Sequence, residues 1–428
     1  MIRAGLLCLL WLPAPLHAED LPDPLPLDYA LSQANNQDQA DWLQALAQSQ
    51  GALASKQAVA ADSALTADIN LSASLLEPSP ISPAQSGQDY AGILTIQKKL
   101  YDFGLTDKAE TSADIEHQAY EKYQTYVQQQ RRLDIARKFF DVILSDLKYA
   151  WDNEAMAIAY VQYNNAKDRH ELQQISDVDL LNLEDQYEQV RYRRYQSEML
   201  QRKTRNNLAE AMHRPGELPS QLVRPYIKPP QQALPGYQQL LQQALDNNGL
   251  LQRLQAQVRA ADLRLQAARQ TFRPRLDAQV KAGTYSRELS SHDRWRAGIS
   301  LTIPLLDSES VMAESSRQRS RWLELRGMLE QSKSLIRQRV LALRQTINLQ
   351  QTRIKQLQTT LAAKELALDK NRALYEMEFK TDLGDAMVAI SEVRYQQGQA
   401  EFNYLLAWME LDLLTGKPVQ PQPLVSEP

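Results

Sequence analysis

The chain has 428 residues, 48 basic against 52 acidic for a formal net charge of −4, and one cysteine, Cys8. That balance excludes a nucleic-acid binder built on a basic face, and a lone thiol excludes a disulfide framework or a cysteine metal site. No segment beyond the N-terminus has the run of about 20 apolar residues that a membrane-spanning helix needs.

Met1-Ile-Arg3, an apolar run from Ala4 to Leu12 and Leu16-His-Ala18 before Glu19-Asp20 predict a signal peptide over 1–18, with Cys8 inside it. A helix is expected from about Gln39 to Leu65. Ala67, Ile69, Leu71, Ala73 and Leu75 then alternate with Asp68, Asn70, Ser72 and Ser74, which is the period of a strand with one apolar face. A second strand is expected over about 90–100, where Leu94 and Ile96 oppose Thr95, Gln97 and Lys99, after a loop holding Pro78, Pro80, Pro83 and Gly87.

From about 105 to 170 the pattern is helical without proline or glycine, and Asp102 or Thr106 is placed to cap it. Some 65 residues at 1.5 Å each give a helix of about 100 Å, which calls for helical partners along its length. A break near Asp168–Ser176 precedes a return helix over about 177–212. Six prolines between Arg214 and Pro235 mark an extended linker, residues 214–236.

The same order then recurs. A helix is expected from Tyr237 to Arg273, and strands over about 275–285 and 294–304. In these, Leu276, Ala278, Val280 and Ala282 alternate with Asp277, Gln279, Lys281 and Gly283, and Trp295, Ala297, Ile299 and Leu301 with Arg296, Gly298, Ser300 and Thr302. A long helix over about 308–375, capped by Asp307, a break at Met377–Asp382 and a return helix over about 382–415 follow, with a tail from 417. Val190-Arg-Tyr in the first half answers Val393-Arg-Tyr in the second at an offset of 203 residues, which also sets Asp179 on Asp382 and Asn182 on Asp385. The chain reads as one unit written twice.

Four amphipathic strands allow a soluble sandwich, with the apolar face against another layer. They also allow apolar-to-lipid and polar-to-lumen packing, with Trp295 and Tyr285 either as interface aromatics or as ordinary packing. In the second case four strands cannot close a barrel, and an open edge in lipid leaves backbone groups unsatisfied. Two chains would give eight strands and a filled interior, three would give twelve and an open lumen. The polar-face residues Asp68, Lys99, Lys281 and Arg296 would then line the barrel lumen.

The element order, Ile175-Ser-Asp-Val178 and Thr381-Asp-Leu-Gly-Asp385 at the two turns, and Glu401-Phe-Asn-Tyr-Leu405 with Leu414-Thr-Gly416 at the end are together similar to the TolC-like outer-membrane efflux family. The resemblance implies an α fold with membrane β: a two-fold internal repeat, a homotrimer with a twelve-stranded outer-membrane barrel, and a long periplasmic α-helical coiled-coil barrel. It implies an outer-membrane channel-tunnel of a Gram-negative efflux or type I secretion system, working with a periplasmic adaptor and an inner-membrane pump. It places the periplasmic gate on Asp382 and Asp385 and the adaptor-contact turns on Ile175, Ser176, Asp177 and Thr381. Three copies of the two aspartates would ring a narrow throat with six carboxylates and favour cations there; Asp382 as a helix cap is the ordinary alternative. The glycine usual in each family turn falls here on Glu171 and Glu376, while Gly384 follows the second turn.

His117, His170, His213 and His292 are scattered without metal-ligand spacing, and there is no phosphate loop or nucleophile motif, so neither an enzyme nor a cofactor is expected. The competing expectation is a poreless periplasmic coiled-coil adaptor or scaffold, which accounts for the helices but not for four strands.

Overall fold

The computed structural model describes residues 21–82, 84–225, 234–270, 274–287, 292–305, 308–377 and 382–420. The signal peptide, Asp307 and Thr381 lie outside them. A short helix α1 (Leu27–Ser32) and a 3-10 turn (Gln33–Asn35) lead into α2 (Ala40–Asp62), β1 (Thr66–Leu75), β2 (Gln88–Tyr101), α3 (Leu105–Glu171) and α4 (Asp177–Ala211). The second half runs α5 (Tyr237–Asn247), α6 (Gly249–Ala268), β3 (Arg275–Tyr285), β4 (Trp295–Thr302), α7 (Ser308–Glu376) and α8 (Leu383–Leu414).

Where one helix was expected from Tyr237 to Arg273, the chain breaks at Asn248. That residue is extended, its side chain accepts the Leu251 N–H at 3.2 Å, and its amide donates to the Leu414 carbonyl at 3.3 Å. Gly249 follows because a Cβ there would come within 2.7 Å of Tyr126 on α3. Docking against α3 and the end of α8 therefore sets the kink.

α3 and α7 have 67 and 69 residues, so each spans about 100 Å. α4 lies on α3, α3 on α8 and α8 on α7, which makes a ribbon in the order α4-α3-α8-α7. Among the described residues α4 and α7 share no extended contact. α2 and α6 pack against α3, and α5 and α6 against α7. One cluster gathers Phe139, Phe140, Leu208, Met212 and Phe402 with Leu25 and Leu31 of the N-terminal segment. The Phe140 and Phe402 rings stack at 4.5 Å and 5° and so join the two halves. Each such buried side chain contributes roughly 1.5–3 kcal/mol.

The strands form one antiparallel sheet in the order β1-β2-β3-β4, with β1 and β4 as free edges. Its register makes the two faces explicit. Ala67, Ile96, Val280 and Ala297 form one row, and Ile69, Leu94, Ala282 and Trp295 the next. On the opposite face, Thr66, Gln97, Gln279 and Gly298 share a row. No described element covers the apolar face: Ile69, Leu71, Trp295 and Ile299 are 71%, 81%, 72% and 70% exposed. The sandwich alternative required that face to be packed.

Candidate functional site

The polar face of the sheet brings three of the four expected lumen residues to one level. Asp68 stands opposite Thr95, Thr95 opposite Lys281 and Lys281 opposite Arg296, so the row crosses all four strands. Pairing in an antiparallel ladder puts these side chains on the same face. Arg296 Nε donates to Asp293 at 2.8 Å, whereas no ion pair among the described residues involves Lys281 or Asp68.

Lys99 belongs to a different place. It pairs across β3 with Asp277, two rows nearer the helices, and its ammonium bonds the carboxylate of Asp62 at the end of α2 and lies 3.7 Å from Asp102. Asp102 in turn accepts the Thr106 N–H at 3.0 Å and the Thr106 hydroxyl. Burial raises the Asp102 pKa, but the two hydrogen bonds from Thr106 and the charge of Lys99 outweigh it, and the net direction is downward. Asp102 thus caps α3 as the sequence suggested, three residues before the first helical residue, across Phe103 and Gly104, which both have positive φ. These groups, with Pro274 and Arg275, line a cavity of about 560 Å³ where strands meet helices. Lys99 ties that joint together and is the least solvent-exposed of the four expected lumen charges.

At the far end of the ribbon, Ile175, Ser176 and Asp177 form the α3–α4 turn. Ser176 and Asp179 make a reciprocal capping box: the Ser176 hydroxyl accepts the Asp179 N–H at 3.2 Å and the Asp179 carboxylate accepts the Ser176 N–H at 3.3 Å. Asp177 bonds His170 Nε2 at 2.6 Å. The left-handed residue in this turn is Gln173 (φ +56°), whereas Glu171, on which the family glycine was counted, is the last helical residue of α3.

Asp382 and Asp385 open α8, and both are exposed. Asp382 occupies the N-cap position but its side chain makes no capping hydrogen bond, unlike Ser176 in the first half. Capping therefore does not account for Asp382. Gly384 is the second residue of α8, not part of the turn, and it is there for contact: a Cβ would lie 2.6 Å from Ile158 Cδ1 on α3.

Two features escaped the sequence. Of the two readings open for Tyr285, interface aromatic or packing, the ring's place favours packing: it folds back over Gly283 on the polar face, where a Cβ on Gly283 would meet its Oη, Cε2 and Cζ at 2.8–2.9 Å. Strand parity alone, with Lys281, Gly283 and Tyr285 in one set, held that information. Arg287, whose Nη2 donates to the Ala84 carbonyl at 2.7 Å, links the two loops at the outer end of the sheet; a loop arginine carries no such signal. Among the described residues no cluster of three metal-ligating side chains occurs, and no helix is long and apolar enough to cross a membrane.

Residues 240–417 match the family model described as outer membrane efflux protein. No curated protein matches the chain by sequence. Among solved structures, the chain is similar to the outer membrane protein VceC of Vibrio cholerae (16% identity, 92% of this chain and 97% of that one, TM-score 0.70). It is similar to the CmeC outer membrane channel of Campylobacter jejuni (13%, 93% and 87%, TM-score 0.72). It also resembles the MtrE outer membrane channel of Neisseria gonorrhoeae in its open state (15%, 92% and 90%, TM-score 0.71). At these identities the likeness establishes the fold.

Proposed function

We propose that this chain, whose likeness to outer membrane efflux proteins runs by sequence through its second half and by fold through nearly all its length, is an outer-membrane channel-tunnel. It conducts substrate passively from an inner-membrane pump and a periplasmic adaptor to the exterior, and performs no chemistry.

One observation carries this reading: the sheet and the helical ribbon are open on corresponding sides. β1 and α4 end the chain's first half on one side, β4 and α7 end its second half on the other. Free strand edges cannot face hydrocarbon, where each unsatisfied backbone group costs several kcal/mol. Further copies, β4 of one beside β1 of the next, satisfy them. The helical edges match: Val178, Leu181, Tyr192, Tyr195 and Met199 on α4 and Met328, Leu335 and Leu349 on α7 are exposed apolar or aromatic residues at near-heptad spacing. Three copies give a twelve-stranded barrel wide enough to conduct, where two would give a filled one. The bare apolar face then meets lipid and the Asp68–Arg296 row faces the lumen. The helices extend about 100 Å into the periplasm, ending at the α3–α4 turn and the start of α8, which are the parts an adaptor reaches first. A poreless scaffold would leave that apolar face in water.

Asp382 and Asp385, exposed and uncapped at the narrow end, are the proposed gate. In planar bilayers the purified chain is expected to form cation-preferring channels. Asp382→Ala with Asp385→Ala should raise conductance severalfold or weaken block by divalent cations from the periplasmic side. Wild-type conductance and block in the double variant would remove the gate, and a monomer that extracts without detergent and forms no channel would remove the tunnel.

A further inference from the structure

We propose that the outer end of the sheet's polar face holds a binding subsite for planar aromatic anions. The inference deepens the channel reading and rests on it for the face being the lumen wall; the site's own geometry comes from four residues on β3 and β4 and the loop between them.

Along β3 the polar face presents Lys281, Gly283 and Tyr285 in succession. At about 3.3 Å per residue, Gly283 lies about 6.6 Å from Lys281. Because Gly283 has no side chain, the Tyr285 ring lies down over it, and the Tyr285 hydroxyl comes within 2.8 Å of where a Cβ would be. The ring is thereby directed back towards Lys281. His292 stacks on Tyr285 at a centroid distance of 4.1 Å and an interplanar angle of 22°. His292 is itself held, since its Nδ1 lies 3.1 Å from the Arg287 carbonyl oxygen and donates to it. Arg287 is buried and anchored to the other loop through the Ala84 carbonyl and, at 3.3 Å, the Ser82 hydroxyl. The two-ring wall is therefore positioned by the loop contact.

One polar-face row nearer the helices than Gly283 stand two cations. Lys281 and Arg296 are direct cross-strand partners. Asp293 takes the Nε and one Nη of Arg296. Lys281 has no described carboxylate against it, since its cross-strand neighbours are Thr95 and Arg296. Asp68, the other acid of the row, is separated from Lys281 by a whole strand. An exposed ammonium next to a half-exposed stacked pair fits a ligand with a flat ring and a carboxylate or phenolate on its edge. The ring adds a third layer to the stack, while the anion meets Lys281 and the remaining Nη of Arg296. A cationic aromatic is repelled, and a non-planar anion gains only the charge contact.

The test uses the full chain in detergent and 1-naphthoate as probe, with binding read by equilibrium dialysis against protein-free micelles. Saturable binding is expected, with cyclohexanecarboxylate and 1-naphthylmethylammonium displacing it poorly. Lys281→Gln and His292→Ala should each weaken it about three- to tenfold. Only the loss in His292→Ala should persist in 1 M salt, since salt screens the charge contact but not the stack. Arg287→Lys, which keeps the charge, should weaken binding by freeing His292. Equal displacement by cyclohexanecarboxylate, or wild-type affinity in both Lys281→Gln and His292→Ala, overturns the subsite. Conductance of the same preparation in bilayers is the separate check on the channel: current without naphthoate binding refutes the subsite alone, and binding without current refutes the tunnel alone.

Discussion

Asp412 shows how one residue near the end of α8 sets a pH dependence. The segment needs a polar finish, and it has one: Thr415 closes back on the Leu411 carbonyl at 2.9 Å, and the Lys417 N–H reaches the Asp412 carbonyl at 2.8 Å. The Asp412 carboxyl, though, is buried, and burial pushes its pKa up while Lys417 pulls it partly back. A raised carboxyl binds its proton more readily in the folded chain than in the unfolded one. Its ionised form therefore weakens the fold above the raised value. That cost is relieved as pH falls through the raised value and is gone below the ordinary carboxylate value of about 3.9. Asp412→Asn should melt at a higher temperature than wild type at pH 7, and the gap should close as pH falls towards 4. A gap that is constant with pH, or a lower melting point for the variant at pH 7, would show that the carboxylate is stabilised there by something other than solvent. The other notable residue is Gln173. It holds the left-handed conformation of the α3–α4 turn at a cost of about 1–2 kcal/mol over glycine, while Glu171, on which the resemblance placed a glycine, is the last helical residue of α3 and needs none.

Among the elements, the strands were the most legible. The faultless alternation from Ala67 to Leu75 corresponds to β1 (Thr66–Leu75), and that from Arg275 onward to β3, because period two is local and a one-residue slip would turn Ile69 and Leu71 to the polar face. The long helices were legible for the opposite reason, as nothing within them stops a helix. What could not be read were features decided across elements: the break at Asn248, the closing of Lys99 onto Asp62 and Asp102, and the purpose of Gly384. The last is now explicit. α8 starts so close to α3 that Ile158 fills the space of a side chain at 384. Gly384→Ala should force the start of α8 away and cost about 1–3 kcal/mol by overpacking. Ile158→Ala in the same chain should recover part of that, because the added methyl then occupies the vacated volume. Additive losses in the double variant, measured by denaturant unfolding, would mean that the two residues do not share a contact. The displaced helix also carries Asp385, so Gly384→Ala should alter conductance block even though it changes no charge.

At the scale of the molecule, one chain supplies a third of a closed structure in the proposed assembly, and its two faces have opposite requirements. The apolar rows through Ile69 and Leu71 stay bare in the single chain, whereas Asn70, adjacent in sequence, points to the polar face. The two positions are consecutive in the same β1–β2 ladder, so a lysine at one or the other differs chiefly in the face it enters. A chain that kept both faces in water, as the single chain does, would tolerate either lysine. In a lipid-embedded barrel Ile69→Lys should cost about 2–4 kcal/mol if near the bilayer midplane, while Asn70→Lys, facing water in the lumen, should cost little. The measurement is the fraction of chain recovered from outer membranes as a heat-modifiable oligomer. Loss of that species in Ile69→Lys with retention in Asn70→Lys is the expected outcome. Equal recovery of the two would place both faces in water. The Asn70→Lys chain adds one further check, because Asn70 stands one row outward from Asp68 on the same strand. A closed trimer gains three lysines around one level of the lumen, and its ion preference should shift towards anions by an amount that falls with salt.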